Sequence, residues 1–290
     1  MITFQRILFP TDFSGQSAAI IPAVKAMAKR FGSEVVVLHV IDLPLAWYGA
    51  GEAAAWSALI NADLLRLEGA TALDRFVAQH FSDIPVLRRL EQGDAARQIA
   101  DIAEEQHAGL IMMPTRGYGP FRALLLGSVT AKVLHDAHCP VWTGVHADEL
   151  TAHPADRWKR ALCALDSDPR DLGVLRWAAQ FATEQGLDLR LVHTVEGADR
   201  TITQESDPGM YDFLFDIARE QIAKMQAEAG TNLDVCLRGG SIGRVVREAA
   251  LGHQSDLIVI GRGVMQKRLG RLRSSAYSIV REAPCPVMSI

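Results

Sequence analysis

Arg6-Ile7-Leu8-Phe9-Pro10-Thr11-Asp12 returns in altered spelling as Arg160-Ala161-Leu162-Cys163-Ala164-Leu165-Asp166, 154 residues later. The same spacing carries Gly32 onto Gly186 and His39 onto His193. Further along the interval shortens. Ala108–Met113 matches Ser255–Ile260 at 147 residues, and Cys139-Pro140-Val141 matches Cys285-Pro286-Val287 at 146. Most of the lost length therefore lies between residues 42 and 90. A chain that repeats itself this way must build one fold twice. Its 290 residues give each copy enough length for a core of its own. The expected domains are 1–148 and 157–290, joined by the short polar linker 149–156.

Each copy alternates apolar strands with amphipathic helices. In the first, Arg6–Phe9 reads as a strand and Ser14–Arg30 as one helix capped by Ser14, with Ala18, Ile21, Val24 and Ala28 at helical spacing. Glu34–Ile41 is apolar and β-branched almost throughout, as expected of a strand covered on both faces. A helix over Ala58–His80, a strand at Pro85–Leu90 and a helix over Asp94–His107 follow. Leu110–Met113, Ser128–Asp136 and Pro140–Val145 complete the copy as strand, helix and strand. The second copy repeats the order, with strands near 160–165, 188–195, 233–238, 257–260 and 286–290. This alternation predicts an α/β fold, a doubly wound open parallel sheet with right-handed crossovers, made twice.

Composition narrows the function classes. Thirty Lys and Arg against 34 Asp and Glu leave a net charge of -4, which argues against a protein that coats nucleic acid. No apolar run approaches the length of a membrane span. The N-terminal run MITFQRILFP reads as a strand rather than a signal peptide, so the cytoplasm is the expected compartment. Four separated cysteines form no CxxC pair, and no metal is expected. His135, His138 and Cys139, with His146 and His153 nearby, only loosely suggest a metal site. P-loop and HExxH signatures are absent.

Doubly wound sheets bind ligands beyond the carboxyl ends of their strands, where the strand order reverses. Strands one and four of the first copy end in Pro10-Thr11-Asp12 and in Met113-Pro114-Thr115-Arg116-Gly117, and Gly127-Ser128-Val129 opens the next helix. A carboxylate on one lip can accept from a ribose or a base amine. Glycines and a helix N-terminus on the other can meet phosphate oxygens. The residues suit a nucleotide. They equally suit a turn capped by Asp12 and glycines that only permit tight turns.

Taken together, ILFPTDFS (7–14), VVVLHV (35–40), GLIMMPTRGYG (109–119), LLLGSVTAKVL (124–134) and AHCPV (137–141) resemble the universal stress protein family in its tandem form. ALCALDSD (161–168), LRLVHTV (189–195), DLIVIGRG (256–263) and APCPV (283–287) carry the resemblance through the second copy. It implies an adenine nucleotide alpha hydrolase-like sheet of order 3-2-1-4-5 in each half, the halves paired about a pseudo-twofold axis. It also implies a role in stress survival rather than a defined catalytic reaction. Some members bind ATP through Gly-x2-Gly-x9-Gly-Ser/Thr. Here Gly117, Gly127 and Ser128 match that motif, but its first glycine is Pro114, which has no N–H to donate. Asp12 matches the family's base- or ribose-side acid, and Val40 lies where the family makes a backbone contact to the base. Pro10, Thr11, Met113 and Val129 flank these positions. ATP is thus the candidate ligand of the first copy. The second keeps Asp166, Gly263 and Ser274, has Arg273 where Gly127 falls, and puts Ile260 at the first motif position, a vestigial site.

Three functions stay open: a non-catalytic stress protein sensing a nucleotide, a weak ATPase or phosphoryl-transfer protein, and an apolar-ligand carrier using residues 43–60 with Trp47, Tyr48 and Trp56. The basic run Arg262, Lys267, Arg268, Arg271, Arg273 reads as a solvated loop rather than a specific nucleic-acid site. His39 and His193 read as hydrogen-bonded core residues. No membrane partner is expected, protein partners are unassigned, and a homodimer stays open beside the intramolecular pseudo-dimer.

Overall fold

The computed structural model describes residues 1–42, 52–116, 126–144, 158–166, 168–195, 198, 208–262 and 274–290, with backbone alone at 52–62, 208 and 274. The chain divides into two compact units, Thr3–Pro120 with Gly127–Val141 and, for its greater part, Trp142–Ile290.

The first copy runs β1 (Arg6–Pro10), α1 (Gly15–Ala19), α2 (Ile21–Phe31), β2 (Glu34–Ile41), α3 (Glu52–His80), β3 (Val86–Gln92), α4 (Ala95–Glu105), β4 (Leu110–Pro114), α5 (Ser128–Asp136) and β5 (Val141–Gly144). Its strands lie in the order β3-β2-β1-β4-β5. β3, β2, β1 and β4 run parallel to one another, with Leu8 opposite both Val36 and Ile111. β1, β2 and β4 are central, and Ile7–Phe9, Val35–Leu38 and Leu110–Met112 are fully buried. That explains their unbroken apolar spelling, since helices cover both faces. Val24, Met27 and Ala28 of α2 and Ile99, Ile102 and Ala103 of α4 supply part of that cover.

The second copy runs β6 (Arg160–Leu165), α6 (Asp171–Gln185), β7 (Asp188–Val195), α7 (Pro208–Ala229), β8 (Val235–Gly239), α8 (Ile242–His253), β9 (Leu257–Ile260), α9 (Ser274–Glu282) and β10 (Val287–Ser289). Its strands lie in the order β10-β9-β6-β7-β8, the same 3-2-1-4-5 arrangement. Gly32 and Gly186 end equivalent helices at φ 63° and 67°, a left-handed cap that favours glycine.

Two expected elements change. Residues 14–30 form two helices rather than one, because Pro22 lies in the first turn of α2, has no N–H for the preceding turn and breaks the ladder at Ile20. α3 starts at Glu52 rather than Ala58, since the alanine-rich run ahead of Ala58 favours helix. β2, β6, β7 and β9 fall where the sequence puts them, and the other strands shift by one or two residues at one end or both. Among the described residues, no helix is long and apolar enough to cross a membrane.

Candidate functional site

The strand order reverses between β1 and β4 in the first copy, and both strands end in polar residues. Asp12 follows β1 and is anchored locally. Its Oδ1 accepts from the Ser14 amide at 3.0 Å and from the hydroxyls of Ser14 and Ser17, both at 2.6 Å. Ser14 in turn caps α1, its Oγ accepting from the Ser17 amide. Both serines are buried while Asp12 is half-exposed, so the carboxylate is held in place without leaving solvent. The backbone also contributes. Phe13 sits at φ 62°, unusual for an L-residue, its amide donating to Thr11 Oγ1 at 3.0 Å. The Phe13 ring packs on His39, 4.2 Å between centroids.

Val40 lies beside this lip. The Leu38 carbonyl accepts from the Thr11 amide at 2.8 Å, so the even-numbered residues of β2 turn their peptide groups toward β1. Val40 is two residues on, past the last residue of β1, and its amide and carbonyl therefore face the crevice mouth.

The opposite lip is stitched together by Thr130 and Gly127. Thr130 Oγ1 donates to the Pro114 carbonyl at 3.1 Å, and the Gly127 amide donates to the Thr115 carbonyl at 2.9 Å. These bonds seat the start of α5 against the end of β4. Gly127 caps α5 without any side-chain hydrogen bond, which leaves the helix N-terminus, with exposed Ser128 and half-exposed Val129, facing outward. Arg116 adds a cation at the same strand end. A Cβ at Gly127 would meet nothing nearer than 3.4 Å, so the fold alone does not demand glycine there. Deeper in α5, the Lys132 ammonium and the Arg97 amide hold the Asp94 carboxyl below the usual carboxylate range.

Of the residues singled out from sequence, Pro10, Thr11, Asp12, Met113, Gly127, Ser128 and Val129 lie at these two adjacent strand ends, and Val40 lies next to them on β2. Gly117 is outside the described residues, as are Gly263, Trp47, Tyr48, most of the 262–273 basic run and the side chains of Trp56 and Ser274. Ser17 and Thr130 were not anticipated, and Arg116 was named only as part of the strand-four end. The spacing Asp12-x-Ser14-x-x-Ser17 was the available signal for the first of these. Both histidines are hydrogen-bonded as expected, His39 Nδ1 to the Thr11 carbonyl at 2.9 Å and His193 Nδ1 to the Leu165 carbonyl at 2.7 Å. Among the described residues, no group of His, Cys, Asp and Glu could hold a metal ion.

The second copy has changed its chemistry at the same place. Register pairs Ala164 with Ile260, as Pro10 aligns with Met113, so the counterpart of Pro114 is Gly261 and not Ile260. A Cβ at Gly261 would meet Val174 Cγ2 at 2.7 Å. Ser14 and Ser17 become Asp168 and Asp171, 154 residues on. Asp171 is buried and accepts from the Asp166 amide at 2.6 Å. Burial, assisted by Asp171, pushes the Cys163 thiol far above its ordinary value. Beyond β6 and β7 opens a cleft of about 580 Å³ lined by Asp166, Asp168, Thr194, Gln221 and Ser275, with Leu214 and Ile217 among its apolar wall.

Comparison with known proteins matches both copies. The family model for the universal stress protein family covers residues 3–143 and 157–290. A universal stress protein of Methanocaldococcus jannaschii is 31% identical over 140 residues, 48% of this chain and 80% of that protein. One of Thermus aquaticus is 34% identical over 139 residues, 48% of this chain and 96% of its own. The crystal structure of a universal stress protein from Archaeoglobus fulgidus superposes over 100% of this chain and 97% of its own, with a TM-score of 0.67 at 24% identity, a likeness of fold. A Pseudomonas aeruginosa structure of unknown function has a TM-score of 0.61 at 18% identity, covering 99% of this chain and 92% of its own. With both copies matched by the family model and the doubly wound sheet present twice, the chain belongs to the universal stress protein family.

Proposed function

We propose that the first copy binds an adenine nucleotide, ATP in the first instance, and that the protein senses it in a stress response rather than turning it over. The observation that carries this reading is Asp12, held by two buried serines at the end of β1, beside an α5 N-terminus that no side chain caps. The carboxylate suits a ribose or base amine. The helix end and Arg116 suit phosphate oxygens, and the outward peptide groups of Val40 suit a base edge. In this reading residues 1–148 are the nucleotide domain, 157–290 its diverged copy and 149–156 the connection. None of the four cysteines is in a disulfide, which supports a reducing, cytoplasmic setting.

Calorimetry of the full chain with ATP and Mg²⁺ tests it. Saturable binding is expected, weakened at least tenfold by Asp12→Asn and by Gly127→Arg. Absence of heat at millimolar ATP overturns the reading. Phosphate release above the buffer blank, lost in Ser128→Ala, would replace sensing by slow hydrolysis.

A further inference from the structure

Gln92 ends β3, the strand beside β2, and stands opposite Ile41 in the parallel register. Alternation along β3 puts Leu90 and Gln92 on one face. That face packs on α3, where a Cβ at Gly69 would meet Ile41 Cδ1 at 2.9 Å and Leu90 Cδ1 at 3.4 Å. Gln92 lies one step further along, past this contact, at the carboxyl end of the sheet. The Gly93 amide donates to the Ile41 carbonyl at 3.0 Å, so the ends of β2 and β3 stay joined. Gln92 is half-buried, yet its side-chain Nε2 is buried and has no hydrogen-bond partner among the described residues. An amide donor kept dry and unpaired destabilises a fold, and native chains retain few such groups without a use for them.

Its place in the sheet indicates the use. The strands lie β3-β2-β1-β4. Arg116 and the uncapped end of α5 stand at β4, Asp12 at β1, and the outward peptide groups of Val40 at β2. A nucleotide laid along this row, phosphates at α5 and sugar at Asp12, brings its base over Val40. The far edge of the base then points to β3, one strand spacing of about 4.8 Å away and within reach of a glutamine side chain. The amide offers a donor and an acceptor side by side, the pair that matches N7 and the N6 amine of adenine. The second copy has no such group. Gly239 stands opposite Val195 as Gln92 stands opposite Ile41, and a Cβ there would meet the Ala198 carbonyl oxygen at 1.5 Å, so no side chain fits.

We propose that Gln92 reads the base in the first copy, its amide donating to adenine N7 and accepting from the N6 amine, and so selects adenine over other purines. This rests on the nucleotide reading above and adds the residue that sets the identity of the base. In the free chain the Nε2 donor is unpaired, so Gln92 serves the bound state at the expense of the free one.

The test compares ATP with 7-deaza-ATP, in which carbon replaces N7, and with ITP, in which oxygen replaces the N6 amine, by calorimetry on the full chain. Wild type is expected to bind each analogue roughly fivefold more weakly than ATP, the effect of one lost neutral hydrogen bond. Gln92→Leu, similar in size and without a polar group, should weaken ATP by a similar factor, bind ATP and 7-deaza-ATP equally, and narrow the gap to ITP. Without ligand the same variant is expected to be at least as stable as wild type in urea, because it removes an unpaired buried donor. Equal binding of ATP and 7-deaza-ATP by wild type, a preference that Gln92→Leu leaves unchanged, or a Gln92→Leu chain less stable than wild type overturns the proposal while ATP binding itself stands. Absence of any ATP binding removes both readings together.

Discussion

At Asp12 a proposed ligand-binding position and a folding device share one side chain. Its oxygen collects two hydroxyl donors and an amide within five residues, so the loop after β1 is set by short polar bonds rather than by packing. Ser17→Ala removes a charge-assisted bond from a buried donor and is expected to cost about 2 kcal/mol in urea unfolding. Gly127→Ala is expected to leave unfolding within about 0.5 kcal/mol of wild type, because φ there is -62° and a Cβ would make only van der Waals contacts at 3.4 Å and beyond, while ATP affinity falls. Stability unchanged with affinity unchanged would remove Gly127 from the site. Asp94 tests the electrostatics. Its folded value lies below the usual carboxylate range, so its contribution is present above that range and is lost as pH falls through the folded value. Asp94→Ala should cost about 1 kcal/mol through the lost helix cap. Asp94→Asn keeps a capping oxygen but loses the Lys132 charge pairing. The difference between wild type and Asp94→Asn should therefore shrink between pH 6 and pH 3 in thermal melts. Asp12, Gly127 and Ser128 were legible because acids and glycines at strand ends are conspicuous. Thr130 was not, since one hydroxyl in an ordinary helix gives no sign of the distant carbonyl it will meet.

Elements were legible to the degree that burial alone decides them. The central strands spelled themselves out because both faces are covered and nearly every position must be apolar. β3 was displaced by a residue or two, because an edge strand with exposed Leu87 and Arg88 carries a weaker pattern. The α1–α2 break was missed by following apolar spacing past Pro22, where backbone chemistry overrides periodicity. Pro22→Ala restores a helical donor at that junction and removes the steric obstacle. It is expected to join the two segments into one helix, visible as added amide protection across residues 18–24 in hydrogen exchange. The same logic ties α5 to β4. Thr130→Val deprives a buried carbonyl of its donor and should cost about 1–2 kcal/mol while loosening the helix end that faces the crevice.

At the scale of the whole chain, duplication made the architecture readable and divergence made the sites unequal. The repeat told where each strand would recur. Counting along the motif put Ile260 opposite Pro114, whereas the 147-residue spacing and the strand register both put Gly261 there. On the proposed reading, with the nucleotide site in the first copy alone, titration of the intact chain is expected to give one ATP per polypeptide. Two equivalent sites would contradict that reading. The Gly261 contact has an evolutionary corollary. Val174 Cγ2 occupies the volume that any side chain at 261 would need, 2.7 Å from where its first carbon would stand. Any side chain introduced at 261, the proline of the sister copy included, therefore needs Val174 to turn or shrink. Changes at the two positions are coupled, so the order in which they are made decides which intermediate sequences are tolerated.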